Sequence, residues 1–242
     1  MSIAETVEAL RAAALGCDDA TAYFPALYTT VTRRISQAID AGKFADPERI
    51  DRFASTFAEM HLRARTDLTY RPRCWQACWD VADDPSLLIV QHVLLGINAH
   101  VNHDLPIATV TTAGDAPLES MRDDFFAIND VLGSTYHDVI RSMDRVAGWT
   151  ALAAEMGGGW LFNFSLRVGR ERAWQTAGHL YPLRHDDAAA TAYQKEIDDV
   201  VSVLSYLVTQ PPALAQPLIW LLRRFENHDP RAVTASFLQM SQ

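Results

Sequence analysis

The sequence predicts an all-α protein, a single-domain helical bundle, and three observations carry that prediction. Apolar residues recur at the three- and four-residue spacing of amphipathic helices along nearly the whole chain. No run of alternating apolar and polar residues bounded by turns indicates a β-sheet. No internal repeat, low-complexity linker or shift in composition marks a boundary between domains. We therefore expect residues 1–242 to form one helical domain around one core.

Capping residues and apolar periodicity set the bounds of the expected helices. Asp46–Pro47 is an N-cap followed by a proline at the first helical position, where its missing N–H costs nothing. Pro106 is expected to end a helix and to begin a loop over 106–114. Gly157–Gly159 is expected to break the chain before a further helix. The expected helices, in chain order, span about 2–15, 18–42, a segment from 46, a short segment from 72, 85–104, 117–146, 160–180, 187–208 and a region from 214 that prolines divide.

The helix from Pro85 to Asp104 is expected to be the most buried, because it has no polar face. Apolar side chains lie on all of its sides, and a helix that is hydrophobic all round is buried. Burying polar groups costs free energy unless they are hydrogen-bonded. This helix therefore either lines a site or is part of a polar network in the core. Its polar side chains are Gln91, His92, Asn98, His100, Asn102, His103 and Asp104.

A helical wheel gathers three of these polar residues, together with Gly96, on one side. At about 100° per residue, His92, Gly96, His100 and His103 fall within one quarter of the circumference. His100 and Asp104 lie one turn apart, so they could face one ligand or one divalent metal ion, zinc or iron. His92 lies about 12 Å from His100 along the axis and could mark the other end of a cavity. Gly96 would let a neighbouring helix or a ligand approach the backbone closely.

Other helices offer candidates for the second half of a site. Asp124 and Asn129 lie at the two edges of the apolar face of the long helix 117–146, and His61 borders the apolar stripe of its own helix. An ionised carboxylate beside an apolar face needs a partner. We therefore expect Asp124 to face the central helix and to lie within hydrogen-bonding reach of His100, His92 or His61, directly or through one water. These polar groups could instead be core residues that fix how the helices pack.

Composition excludes several classes of function. The formal net charge of −9 argues against binding to nucleic acid or to an anionic membrane surface. The apolar run 87–101 is too short and too polar for a membrane span. The first ten residues lack the basic and apolar regions of a secretory signal, so a cytoplasmic location is expected. Three cysteines, Cys17, Cys74 and Cys78, are expected to be free thiols that act as small apolar residues.

Well-known catalytic motifs are missing from the sequence. It contains no H-E-x-x-H zinc motif, no G-x-S-x-G elbow and no phosphate-binding loop. Arg167, Arg170 and Arg172 lie close together in sequence and are expected on a solvated face. Several tryptophans are expected in the core. No signal indicates an oligomeric state.

The segment Gln91–Leu105 resembles the signature of a bacterial family known as domain of unknown function 5995. That signature is approximately Q-H-x-L-L-G-[IM]-N-A-H-[IV]-N-x-D-L. The resemblance continues at Asp124–Phe125 and Ile128–Asn129, and more weakly at Ala173–Trp174. It implies no known activity, and His103 falls at a variable position. The polar residues that the resemblance singles out are His92, Asn98, His100, Asn102, Asp104, Asp124 and Asn129.

The expected function is that of a cytosolic enzyme with a buried His/Asp/Asn pocket for a small, largely apolar organic substrate. His100 would be the general base or a metal ligand, oriented by Asp104 or Asp124, and His92 a second acid–base group. Substrate contacts would come from Asn98, Asn102, Asn129 and His61. The alternative function is that of a non-catalytic helical binding protein for a lipid-like or aromatic molecule. A purely structural polar network is the third interpretation.

Overall fold

Helices make up nearly all of the chain that the structure, a computed structural model, describes: residues 1–150 and 159–239. Those ranges contain α-helices and no β-strand, which confirms the predicted all-α class. The glycine run at 157–159 lies mostly outside the described residues. The helices are α1 (Ile3–Leu15), α2 (Tyr23–Asp40), α3 (Pro47–Thr66), α4 (Arg73–Asp80), α5 (Ile89–Asn98), α6 (Leu105–Ala113), α7 (Arg122–Ala147), α8 (Gly159–Leu180), α9 (Asp187–Thr209), α10 (Gln216–Arg223) and α11 (Pro230–Leu238).

Side-chain caps start several of these helices where the sequence predicts them. Ser2 and Glu5 form a reciprocal capping box at α1, in which Ser2 Oγ accepts from the Glu5 amide and Glu5 accepts from the Ser2 amide. The Asp46 carboxylate accepts from the Arg49 amide at 2.9 Å, with Pro47 at the first helical position of α3. Asp229 caps α11 in the same way. Each cap satisfies an amide that the helix itself leaves unpaired.

The central helix begins later than predicted, at Ile89 and not at Pro85. Asp84 accepts hydrogen bonds from the amide and hydroxyl of Ser86, so it holds a tight turn and does not cap a helix. The N-terminus of α5 is capped from far along the chain, because the buried Glu226 carboxylate accepts from the Ile89 amide at 3.0 Å. Arg223 lies 3.3 Å from the same carboxylate. Long-range capping of this kind leaves no signal in the local sequence.

A π-helical turn, Ala99–Asp104, joins α5 to α6 without a break. Within it the Leu105 amide donates to the His100 carbonyl, five residues back. The predicted end at Pro106 and the predicted loop over 106–114 are therefore wrong. Pro106 lies in the first turn of α6, directly after the wide turn, where the α-helical hydrogen-bond pattern is already interrupted and the missing N–H is tolerated.

The run formed by α5, the π turn and α6 passes through the middle of the bundle. From Leu87 to Val110 every residue is buried or half-buried, and α5 alone among the described α-helices has no exposed residue. This confirms the prediction of a central buried helix. α5 packs on α2, α4 and α9, the π turn on α8 and α9, and α6 on α3 and α8. Side chains of five other helices can therefore reach this run.

The apolar stripe of α9 is only partly buried. Ile197 and Val201 belong to the core, whereas Val200 and Leu207 are 64% and 59% exposed. Trp220 on α10 is also exposed. The stripe is wider than the face that α9 presents to its neighbours. None of the described helices has the length and apolar composition needed to cross a membrane.

Gly96 allows α2 to approach α5 closely, as the sequence predicts. A Cβ atom at this position would lie 2.5 Å from Cγ of Phe24, far inside van der Waals contact. Phe24 is buried and its ring contacts Tyr28, His61, Trp75 and His100. The missing side chain at Gly96 therefore positions an aromatic ring that touches several candidate site residues.

We expect Gly96→Ala to lower the free energy of unfolding by about 1–3 kcal/mol, because the new methyl group displaces the Phe24 ring. The matched control is Gly133→Ala on α7, where a Cβ meets no atom within 4 Å and the residue is exposed. That change should raise stability by about 0.5–1 kcal/mol through helix propensity. Urea unfolding of both variants beside the parent measures the difference. Equal stability of the two variants would contradict the close contact.

Candidate functional site

A cavity of about 110 Å³ lies beside the central run, between α2, α3, α7 and α8. Its wall is almost entirely aromatic and aliphatic. Among its described residues, four have polar side chains: Tyr28, His100, Thr135 and Arg170. Its remaining lining residues are Phe24, Leu27, Val31, Ile35, Phe53, Ala54, Phe57, Ile97, Val101, Ile128, Leu132, Val139 and Leu166. An apolar cavity with a few convergent polar groups is the usual form of a small-molecule site.

His100 lines this cavity and is held in a fixed orientation. Its ring stacks on Phe57, with ring centres 3.5 Å apart and planes 8° from parallel. Tyr28 packs edge-on at 4.3 Å. Nδ1 lies 3.3 Å from Oδ2 of Asp104, whereas Nε2 is buried and has no hydrogen-bond partner among the described residues. One ring nitrogen is thus engaged and the other is left unpaired.

Asp104 is fully buried and accepts hydrogen bonds from three side chains. Trp75 Nε1 lies 2.9 Å from Oδ2, the oxygen that also faces His100. His103 Nδ1 lies 2.8 Å from Oδ1. His103, which the resemblance places at a variable position, therefore belongs to the network. The sequence predicted that His100 and Asp104 face each other, and their contact confirms it.

The environment of the pair determines its protonation. Burial lowers the pKa of His100, and the nearby carboxylate of Asp104 only partly offsets this effect. Burial opposes ionisation of Asp104, but hydrogen bonds from His100 and His103 outweigh it and lower the pKa of Asp104. Asp104 is therefore an anion and His100 is neutral. A neutral imidazole whose Nδ1 faces a carboxylate carries its proton on Nδ1, so Nε2 has a free lone pair.

Arg170 reaches the cavity from α8 and is 4% exposed. Nη2 donates to the Phe125 carbonyl at 2.6 Å, and the guanidinium lies 4.5 Å over the ring of the same residue. Nε has no hydrogen-bond partner within the described part of the chain. Burial lowers the pKa of Arg170 to about 10, so the side chain stays cationic at neutral pH.

The expectation of a solvated arginine face is therefore wrong for Arg170, although Arg167 and Arg172 are exposed. A sequence signal for this burial exists. Arg170 lies three, four and seven residues before the buried Ala173, Trp174 and Ala177, and so shares their face of α8. A count of charges along the chain does not reveal the burial of Arg170. Arg170 differs from Arg167 and Arg172 in the face of α8 on which it lies, and only the helical spacing shows that face.

The structure does not bring His92 into the cavity. The ring lies edge-on to Tyr23 at 6.0 Å, away from the residues of the cavity wall. Burial, with the positive charge of Arg223, lowers the pKa of His92 to about 4. His92 therefore does not form a site with His100, because one continuous helix carries them two turns apart towards different neighbours.

The predicted contact between Asp124 and a histidine is wrong. Oδ1 of Asp124 accepts from the Ala45 amide and Oδ2 from the Asp46 amide, both at 2.8 Å. These amides precede α3 and lack helical partners, and a carboxylate at a helix N-terminus is favourable. Asp124 thus ties α7 to the start of α3.

The three asparagines also serve other parts of the molecule. Asn98 donates to the Val201 carbonyl at 3.0 Å and to Ser205 Oγ at 2.9 Å, and accepts from Asn102 at 2.8 Å. These bonds connect the central run to α9. Asn129 lines a neighbouring cleft that shares Leu132 and Leu166 with the cavity, and its Oδ1 is unpartnered among the described residues. None of the three lines the cavity with His100.

His61 is buried between Phe24 and Trp75, with ring centres 5.0 and 4.5 Å away. Neither ring nitrogen has a hydrogen-bond partner in the described ranges, and the residue is not part of the cavity wall. Burial, reinforced by Arg65 and His100 and only partly offset by Asp104, lowers the pKa of His61 well below its usual value. His61 therefore adds a neutral, buried imidazole behind the site.

A second group of side chains has the chemistry of a metal site. One ligand atom each of Cys74, His103 and Asp198 lies within 4.8 Å of the other two, and all three residues are buried. Thiolate, imidazole and carboxylate are ligands of zinc, and the bond from His103 Nδ1 to Asp104 is the usual outer-shell support of such a histidine. In the structure, Asp198 accepts from the amides of Arg73 and Cys74. Burial raises the pKa of the Cys74 thiol well above its usual value.

This group fits a metal better than the predicted pair His100 and Asp104. Oδ2 of Asp104 already accepts from Trp75 and faces His100, so an ion shared by the pair would have to replace these bonds. The sequence did not indicate the three-residue group, because Cys74 and Asp198 come from α4 and α9 and only tertiary packing brings them to His103.

We expect the free energy of unfolding to fall as the pH drops below about 6.5, in part because of His61. The depressed pKa of His61 means that the unfolded chain takes up a proton there which the native state refuses. One such proton contributes up to about 1.4 kcal/mol per pH unit. Urea unfolding between pH 7.5 and 5 should show that the free energy of unfolding changes less with pH in His61→Leu and in His61→Gln than in the parent. Only the glutamine leaves a buried polar group unpaired, so it should be less stable overall. Profiles parallel to that of the parent would contradict the neutral state of His61.

Comparison with known proteins shows one match. No curated protein and no solved structure matches the chain. A protein-family model described as a family of unknown function (DUF5995) matches residues 3–211. The matched range includes the central run, the described cavity wall and Arg170. The resemblance predicted from Gln91–Leu105 is thereby confirmed. The chain belongs to the DUF5995 family of unknown function.

Proposed function

We propose that this protein is an enzyme that admits a small, largely apolar organic substrate to the cavity and acts on it by acid–base chemistry, with His100 as general base. The observation that carries the proposal is the asymmetry of the His100 ring. Nδ1 faces an anionic carboxylate, whereas Nε2 is buried and unpaired on a residue of the cavity wall. Buried polar atoms are rarely left without a partner unless a ligand or water supplies one.

Each neighbour of His100 has a part in this chemistry. Asp104 holds the proton on Nδ1 and would stabilise the imidazolium that forms when Nε2 takes a proton. Trp75 and His103 keep the carboxylate ionised and in place. Stacking on Phe57 fixes the ring plane, so the base is oriented before the substrate arrives. The depressed pKa keeps His100 unprotonated, and so available as a base, at neutral pH.

A non-catalytic binding protein is the second candidate, and the character of the wall favours it. Only four of the described residues that line the cavity have polar side chains, and the rings of Phe24, Tyr28, Phe53 and Phe57 form part of its wall. Such a cavity would hold a lipid-like or aromatic molecule by apolar contact alone. The two candidates differ in whether the bound molecule is converted. If removal of Nε2 abolishes turnover but leaves binding intact, the protein is an enzyme and not only a binding protein.

The tautomer of His100 can be measured directly. ¹⁵N NMR of the histidine rings should show a neutral His100 with its proton on Nδ1 from pH 8 down to about 6.5. His100→Gln assigns the signals by their disappearance. A proton on Nε2, or a charged ring at neutral pH, would remove the lone pair that the proposal needs.

A small ester tests the base. We expect the parent to hydrolyse vinyl acetate faster than buffer does, with Nε2 taking a proton from the attacking water. His100→Gln should lower the rate about 10²- to 10⁴-fold. Its stability cost should be only about 1–2 kcal/mol, because Asp104 keeps Trp75 and His103 as partners. Release of acetic acid followed in a pH-stat measures the rate.

The matched control for this assay is His179→Gln, an exposed histidine near the end of α8. It should hydrolyse vinyl acetate like the parent. Equal rates for the parent and His100→Gln would refute the role of His100 as base and favour the binding protein.

A further inference from the structure

We propose that the ligand of this cavity is a small carboxylic acid, bound as its anion, and that Arg170 holds the carboxylate. This inference rests on the proposed function and names the class of substrate. The juxtaposition that carries it is a buried guanidinium and a buried imidazole on the wall of one apolar cavity.

Arg170 carries a buried positive charge. Removing a cation from water is costly unless a counter-ion or a full set of hydrogen-bond acceptors replaces the water. Among the described residues, Arg170 hydrogen-bonds the Phe125 carbonyl and lies over the Phe125 ring, and both groups are neutral. No described carboxylate forms an ion pair with Arg170, so a bound anion would meet a charge that no described residue neutralises.

The acidic groups near Arg170 in the described part of the chain already have partners. Asp104 accepts hydrogen bonds from Trp75 and the two histidines of the π turn. Asp124, next to Phe125 on α7, binds two backbone amides with its two oxygens. No aspartate or glutamate is among the described residues of the cavity wall. The anion that pairs with Arg170 is thus best supplied by a ligand.

The shape of the Arg170 side chain also favours a carboxylate. A guanidinium presents five N–H groups in a planar fork that matches the two oxygens of a carboxylate. Within the described residues only Nη2 has a hydrogen-bond acceptor, and Nε has no partner there. The Phe125 ring beneath the guanidinium fixes its plane. An arginine held flat by an aromatic ring, with donors left over, is prepared for a bidentate anion.

These features together define the ligand. Its carboxylate would lie on Arg170, its apolar body would lie against the rings of Phe24 and Phe57, and its reacting position would lie near Nε2 of His100. A cavity of about 110 Å³ restricts the body to a short chain or a small branched group. We therefore infer a short-chain carboxylic acid that carries an acidic or hydrolysable position away from the carboxylate.

A matched pair of probes tests this inference. Butanoate and butanamide have nearly the same shape, and only the first is charged. We expect the parent to bind butanoate about 10- to 100-fold more tightly than butanamide, the range of a charge-assisted hydrogen-bond pair. Isothermal titration calorimetry gives the two affinities. The ¹⁵N signals of the His100 ring report whether the probe enters the cavity.

Two variants locate the preference on Arg170. Arg170→Met keeps the length of the side chain without its charge and should abolish the preference for butanoate. Arg170→Lys keeps the charge without the planar fork and should retain a weaker preference, which also covers the case in which the methionine variant does not fold. Arg172→Met, on the exposed side of α8, is the control and should bind both probes like the parent.

The outcomes separate this inference from the proposed function. Equal affinity of the parent for the two probes, or binding of neither, would overturn the role of Arg170. The role of His100 as general base is tested separately by the hydrolysis of vinyl acetate, a neutral ester that needs no anion site. A preference for butanoate that persists in Arg170→Met would place the anion elsewhere and would also overturn the inference.

Discussion

The ionised carboxylate of Asp104, at the centre of the core, is the constraint on which the arrangement around it depends. A buried anion needs donors on several sides. A single regular helix cannot surround its own side chain, so the donors come from two elements. Trp75 approaches from α4, and the π turn contributes His100 and His103. Burial of the Asp104 carboxylate therefore accounts for three features together: the wide turn, the docking of α4 and the orientation of His100.

Asp104 and Arg170, two of the buried charged groups, have different surroundings. Asp104 faces the Trp75 indole and two imidazoles, whereas Arg170 contacts a carbonyl and an aromatic ring. The positive charge of Arg170 also disfavours protonation of His100, while Asp104 favours it. The imidazole therefore lies between opposing fields. An anion bound on Arg170 would cancel one of these fields and make His100 a stronger base.

The parts of the fold that local sequence determines were predictable. N-caps at Asp46 and Asp229, the all-apolar central helix and the close approach at Gly96 all follow from residues within a few positions of each other. The contact between His100 and Asp104 was predictable for the same reason, since four residues separate them.

Features that depend on tertiary packing were not predictable. Asp124 lies at the edge of an apolar face, but its position on the helix does not tell which neighbour will meet it. Pro106 reads as a helix end because the sequence does not reveal the wide turn that tolerates it. The group Cys74, His103 and Asp198 joins three separate elements. Arg170 is the exception, because the buried positions on its own helix face could have revealed it.

The long-range cap on α5 has a consequence for any shortened version of the protein. The family match ends at residue 211, yet the carboxylate that receives the first amide of α5 belongs to Glu226. Phe237 of α11 likewise packs edge-on against Tyr23 at the start of α2. A chain truncated at 211 would expose the N-terminus of its central helix and remove part of the packing around α2. The segment after the family region is therefore an integral part of the folding unit, although the site itself lies entirely before it.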